Sequence, residues 1–145
     1  MQRLLPPILF ALLLLALVPL GLWQPAPTFA RPVMLWVMPL ALGLLALISA
    51  RLHFARNDSE IMTFDTPRNM VTGGAFARSR NPMYLGFLLI LLAAALGTGS
   101  AWSLIAPLVF FAACQWWYIP AEEANMHRTF SPAFADYTGR VRRWL

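Results

Sequence analysis

Residues 82–119 read "PMYLGFLLILLAAALGTGSAWSLIAPLVFFAACQWWYI". No residue in this stretch is charged, and Thr98-Gly99-Ser100 divides it into two apolar runs, about 82–97 and about 101–119. A connection this short makes the two helices neighbours that run antiparallel. Two more apolar runs lie upstream, about 4–23 ("LLPPILFALLLLALVPLGLW") and about 33–50 ("VMLWVMPLALGLLALISA"). A membrane-spanning helix needs about 20 apolar residues, with about 17 as the lower bound, so the run at 82–97 is marginal. The pattern predicts an all-α polytopic membrane protein with about four transmembrane helices. Residues 1–145 form one membrane domain in this reading, with an N-terminal helix pair in 1–55 and a core in 56–145.

Composition agrees. The 145 residues are 59% apolar and 12% charged, where soluble domains carry about 25% charged residues. Mean hydropathy is +0.62. The net charge of +5 comes from 11 basic residues, all of them arginine. In so apolar a chain these serve topology and lipid headgroups, and no nucleic-acid partner is expected. Arg3, Arg51, Arg56, Arg68, Arg78, Arg80, Arg128, Arg140, Arg142 and Arg143 fall on one side of a four-span layout, and Arg31 alone on the other. The positive-inside rule puts the first set, both termini and the 51–81 loop in the cytoplasm, as in a bacterial inner-membrane protein. The first run is expected to stay as a helix, because its apolar core exceeds the ~7–15 residues of a signal peptide. Cys114 is the only cysteine, and His53 and His127 are isolated, so neither a disulfide nor a metal site is expected.

Polar residues gather where the hairpin's two open ends meet. Asn81-Pro82 reads as an N-cap and first helical residue, whose free N–H groups suit a carboxylate or phosphate. Arg78 and Arg80 add positive charge, although a plain basic flank is the simpler account of both. Glu122-Glu123 falls at the far end of the second run, where acidic residues oppose the helix dipole. Adjacent helix positions point about 100° apart, so one glutamate is expected to face the hairpin and reach Arg80 or a ligand, and the other to face solvent. Glu123 and His127 stand at i,i+4 and are able to pair. Phe76, Tyr84, Trp116, Trp117 and Tyr118 suit either an interfacial belt or a wall for a flat or cationic ligand. Ser131-Pro132 predicts the start of a short amphipathic helix on the membrane surface, with Phe134, Tyr137, Val141 and Trp144 on its apolar side and Asp136, Arg140 and Arg143 elsewhere. The loop 57–77 contains Gly73-Gly74 and is too long for a plain linker.

Taken in order, "MVTGGAFARSRNPMYLG" (70–86), the apolar hairpin and "EEANMHRTFSPAFADYTGRVRRWL" (122–145) resemble the isoprenylcysteine carboxyl methyltransferase family of membrane enzymes. The shared pattern is Val-Thr-x-Gly-x-Phe/Tyr, Arg-His/Asn-Pro-x-Tyr, Glu-Glu, Phe-Gly/Ser-x-x-Phe/Tyr-x-x-Tyr and a Val-x-Arg ending, over about residues 56–145. The resemblance implies S-adenosylmethionine as methyl donor and a lipophilic or lipidated acceptor. Its cofactor contacts carry over to Arg68, Asn69, Met70, Val71, Phe76, Asn81, Pro82, Met83, Tyr84 and Glu122. Arg80, Tyr84 and Glu123 are the candidates for catalysis. Tyr118 stands near the position of a family arginine used for substrate, and Arg128 or Arg80 would have to supply that charge. Asn81 replaces the histidine of the eukaryotic enzymes.

Two other readings stay open on the sequence. A membrane reductase of the sterol reductase type has a similar C-terminal half and binds NADPH. It tends to place an acidic residue shortly after Pro-x-Tyr, where this chain has Leu85-Gly86-Phe87. A non-catalytic binding module is the third.

Overall fold

The computed structural model describes residues 5–23, 26–56 and 70–145. Within them the chain forms α1 (Pro6–Trp23), α2 (Val33–Arg56), α3 (Pro82–Thr98), α4 (Ile105–Ala113), α5 (Ile119–Phe130) and α6 (Ala133–Arg140). Short 3₁₀ turns occupy Gly74–Ala77 and Ala101–Leu104, and a π-helical turn at Cys114–Tyr118 joins α4 to α5. The described residues contain no named strand, only an isolated bridge between Thr28 and Ser100.

Among the described residues three helices are long and apolar enough to cross a membrane: Pro6–Trp23, Val33–His53 and the continuous rod Ala101–Phe130. The fourth predicted span, α3, has 17 residues and so measures about 26 Å against a hydrocarbon core of about 30 Å. Its short length is tolerable because α3 is the central helix, packed against α1, α2 and α4. Leu91 and Ala95 on α3 are fully buried, as are Phe110, Cys114, Tyr118 and Ile119 on the facing rod. Phe10 of α1 packs on Phe87 at 4.6 Å and meets Phe110 nearly edge-on at 6.3 Å. The outer faces of α1 and α2 expose Leu12, Leu15, Val18, Leu42, Leu45 and Ile48, as suits helices whose surroundings are hydrocarbon.

Glycine sets the contact between α2 and α3. A β-carbon on Gly86 would lie 2.7 Å from Leu47 Cγ and 2.9 Å from the Gly43 carbonyl oxygen. Small residues at such a crossing let the two backbones approach closely.

The hairpin turn forms at 98–100. Gly99 ends α3 with φ 76°, the left-handed conformation that glycine adopts without penalty. The segment before α2 fastens this end. Phe29 N–H donates to Gly99 O at 2.8 Å, Ala101 N–H to Pro27 O at 2.9 Å and Trp102 Nε1 to Ala26 O at 2.8 Å. Ser103 is fully buried here and its hydroxyl donates to Ala95 O at 2.7 Å.

Three expectations need correction. The rod continues beyond residue 119 to Phe130, so Glu122 lies in the first turn of α5 with Glu123 directly after it, and the argument from a helix C-terminus does not hold. Ser131 is extended at the end of α5 and makes no cap; α6 begins at Ala133, with Pro132 in the N-cap position. Finally, α6 ends at Arg140 and Val141 is extended. Phe134 and Tyr137 do share a buried face, but Val141 and Trp144 belong to a tail that leaves the helix.

Candidate functional site

Four chain segments converge at the end of the bundle opposite the hairpin turn: the 3₁₀ turn Gly74–Ala77, the start of α3, the first turn of α5 and the tail 141–145. Each arrives for a local reason. Gly74 has φ 61° and lies against the His53 ring at the end of α2, where a β-carbon would collide with the imidazole at 2.0 Å. Pro82 opens α3, where its missing N–H costs nothing. The π turn precedes Pro120. A proline ring displaces the carbonyl four residues back and offers it no N–H, and the bond pattern widens accordingly, with Ile119 N–H donating to Cys114 O. Such turns are rare and recur at functional sites.

Tyr84 and Glu122, 38 residues apart in sequence, meet across the hairpin. The Tyr84 hydroxyl donates to Glu122 Oε1 at 2.5 Å. The buried Tyr84 ring lies 6.4 Å from that of Tyr118, inclined by 23°, and Trp117 stacks on Tyr118 at 5.5 Å and 3°. Tyr118 is fully buried, whereas Trp116 and Trp117 are exposed. The aromatic set therefore divides: Phe76, Tyr84 and Tyr118 line the interior, and the two tryptophans face outward.

Beside this pair lies an ion cluster. Glu123 Oε1 is 3.0 Å from an Arg80 terminal nitrogen. Arg143 holds the same carboxylate with two donors, Nε to Oε1 at 3.2 Å and Nη2 to Oε2 at 2.5 Å. The expectation that one glutamate faces solvent is thus not met, since both face protein partners. Arg80 Nε is buried and has no hydrogen-bond partner among the described residues. A buried donor without a partner is costly.

The tail closes the cluster from outside. Arg80 N–H donates to Arg142 O at 3.0 Å, and the Asn81 side-chain amide to Arg143 O at 2.9 Å. Trp144 Nε1 donates to Gln115 Oε1 at 2.8 Å, and its ring lies 5.2 Å from Phe111. Ser79 is buried, its hydroxyl accepting from Asn81 N–H at 3.1 Å. The sequence reading assigned no role to Ser79, Gln115 or Trp144 here and placed Arg143 on a polar face. One signal was available, the polar-apolar Val141-Arg142-Arg143-Trp144 run following Gly139 in the last turn of α6.

The other expected site residues distribute as follows. Arg68 and Asn69 lie outside the described residues. Met70 and Val71 are half-buried ahead of the 3₁₀ turn. Phe76 is buried, and its carbonyl accepts the Tyr137 hydroxyl at 2.7 Å. Burial pushes the Tyr137 phenol up to about 12, against a smaller opposing effect of Arg80. Asn81 precedes α3 but makes no side-chain cap, because its amide serves the tail. Pro82 is buried and Met83 half-buried. Arg78 is exposed, as is Arg128, which bonds Asn125 on its own helix. The Glu123–His127 pair does not form. Glu123 is held by two arginines, and the His127 ring stands edge-on to Phe134 at 4.7 Å. Among the described residues no group of His, Cys, Asp or Glu is arranged to hold a metal ion.

A family model described as phospholipid methyltransferase matches residues 33–133, which include α2, α3 and the whole rod. A protein of Haemophilus influenzae, described only as an uncharacterized protein, is 35% identical over 63 residues, covering 43% of this chain and 100% of that one. No solved structure matches the chain at a significant level.

Proposed function

Because the chain belongs to the phospholipid methyltransferase family, we propose that it takes S-adenosylmethionine as methyl donor and methylates a lipophilic or membrane-associated acceptor at the Tyr84–Glu122 end of the bundle. When bound, S-adenosylmethionine supplies the electrophilic methyl group. It carries a carboxylate, an amino group and ribose hydroxyls, and the residues present suit these. Arg80, with its unpartnered buried Nε, and the N-terminus of α3 suit the carboxylate. Glu122 suits the amino group or a ribose hydroxyl. Met70, Val71, Phe76, Asn81, Pro82 and Met83 are the further cofactor contacts of this reading, with Arg68 and Asn69 beyond the described residues. The single observation that carries the proposal is the 2.5 Å Tyr84–Glu122 contact, set beside an arginine with a vacant buried donor.

Methyl transfer asks the protein chiefly for alignment and exclusion of water. Tyr84 orients Glu122, and the Tyr84–Tyr118–Trp117 stack forms a dry wall leading outward between helices. The family description favours a lipid acceptor over an isoprenylcysteine carboxylate. An amine acceptor would have to lose a proton. Glu123 is ill-suited to take it, since both its oxygens face guanidinium groups, and the Tyr84–Glu122 pair is the better choice. With ten of the eleven arginines on the site side of the layout, we place that end in the cytoplasm.

Two experiments test the proposal. Purified protein in detergent should bind S-adenosylhomocysteine, and Glu122→Ala should lose that binding. NADPH binding without S-adenosylhomocysteine binding would refute the reading. Incubation with labelled S-adenosylmethionine and a membrane lipid extract should then transfer label to the lipid fraction.

A further inference from the structure

The ion cluster has an unequal charge count. Arg80 and Arg143 share one carboxylate, that of Glu123, so the three side chains sum to +1. The sharing is also unequal. Arg143 grips Glu123 with two donors, at 3.2 Å and 2.5 Å, whereas Arg80 touches it with one terminal nitrogen at 3.0 Å. Two parallel donors hold a carboxylate more firmly than one. Arg80 is therefore the partner left with surplus charge, and its Nε remains buried and unpaired. The Arg80 side chain is 15% exposed, so solvent offers it little compensation.

We propose that Arg143, from the C-terminal tail, is a positioning residue for the cofactor's carboxylate. By holding Glu123 it keeps Arg80 free to bind an anion at the start of α3. This inference rests on the reading of the site as an S-adenosylmethionine pocket. Arg143 itself need not touch the ligand. Without its side chain, Glu123 would turn fully to Arg80, the cluster would sum to zero, and the attraction for a carboxylate would fall. The tail would stay in place. Its anchors to Arg80 N–H and Asn81 are the backbone carbonyls of Arg142 and Arg143, and Trp144 bonds Gln115 independently.

The test compares two probes on the full-length protein in detergent by calorimetry. S-adenosylhomocysteine carries the carboxylate and amino group, and 5′-methylthioadenosine lacks both but keeps the adenosine and thioether. Arg143→Ala should weaken S-adenosylhomocysteine binding by about tenfold, the size expected for loss of one charged contact. It should leave methylthioadenosine binding unchanged, and that retained binding also reports an intact fold. Arg143→Lys, which keeps the charge, should recover most of the lost affinity. Equal weakening of both probes would show a merely structural tail and overturn the inference. So would unchanged S-adenosylhomocysteine binding in Arg143→Ala, or an Arg143→Lys variant no better than Ala. Failure of the unmutated protein to bind either probe would instead refute the proposed function itself, and the role of Arg143 with it.

Discussion

Replacing Glu123 by Gln is expected to weaken the fold while sparing or strengthening the binding of an anionic ligand. The carboxylate lies 3.0 Å from one guanidinium and 2.5 Å from the other, with side chains only 15%, 29% and 19% exposed for Arg80, Arg143 and Glu123. At an effective dielectric of about 20, unit charges 3 Å apart attract by about 5–6 kcal/mol. Desolvation and side-chain ordering offset most of that. Exposed pairs contribute about 0–1 kcal/mol, and removing one partner of a fully buried pair costs about 3–5 kcal/mol. This cluster lies between those limits, and glutamine still accepts one hydrogen bond, so the expected loss is about 2 kcal/mol. Thermal unfolding in mild detergent, followed by tryptophan fluorescence, should show a lower midpoint. At the same time the cluster's charge rises from +1 to +2, so S-adenosylhomocysteine should bind at least as well at low ionic strength. A Gln variant of unchanged stability would refute the ion-hub account. Full stability combined with a hundredfold fall in turnover would return Glu123 to the role of a proton acceptor.

Three further outcomes follow. Tyr84→Phe removes the donor to Glu122 Oε1 and should cost about 1–3 kcal/mol of stability; combined with Glu122→Gln in a double-mutant cycle, the losses should be clearly non-additive. Gly86→Ala puts a methyl group 2.9 Å from the Gly43 carbonyl and 2.7 Å from Leu47 Cγ, and should destabilise the α2–α3 contact by about 1–3 kcal/mol, measured as a lower unfolding midpoint in the same detergent. The Tyr137 phenol is pushed up to about 12 from an ordinary 10, so its contribution is fully present below about pH 10 and is lost as pH rises towards 12; unfolding midpoints measured across that range should fall less steeply in Tyr137→Phe.

How far the sequence reached depends on the kind of signal each element carries. The apolar runs made the helices legible, and the Thr98-Gly99-Ser100 break made the α3–α4 hairpin legible, because both are local patterns. The approach of Tyr84 to Glu122 followed from the hairpin alone. What escaped was tertiary. Gly43 and Gly86 mark a helix crossing only when seen together, and nothing local pairs residues so far apart. The tail escaped because Val141 and Trp144 fall on helical spacing with Phe134 and Tyr137, and periodicity cannot show that the helix stops at Arg140. Asn81 looked like a cap because asparagine usually is one, yet its amide answers a carbonyl from the other end of the chain. The π turn had a local cause in Pro120, but a proline inside an apolar run predicts a disturbance without its form.

The two glutamates are chemically identical and adjacent, so only their surroundings can give them different work. On a helix they point about 100° apart, and the π turn just before α5 sets which direction each one takes. Glu122 turns to Tyr84, a neutral donor, which steadies the carboxylate without neutralising it. Glu123 turns to two arginines, which do neutralise it. Glu122 then keeps acceptor capacity beyond its bond from Tyr84, and Arg80, on the neighbouring glutamate, keeps a surplus of positive charge. A ligand with an amino group and a carboxylate on the same carbon carries the complementary pair, and neither an isolated phosphate nor an isolated amine does. In the proposed site, therefore, the feature that selects an amino-acid-bearing cofactor is neither glutamate alone but the division of labour between them, and that division depends on a tail residue 20 positions further along the chain.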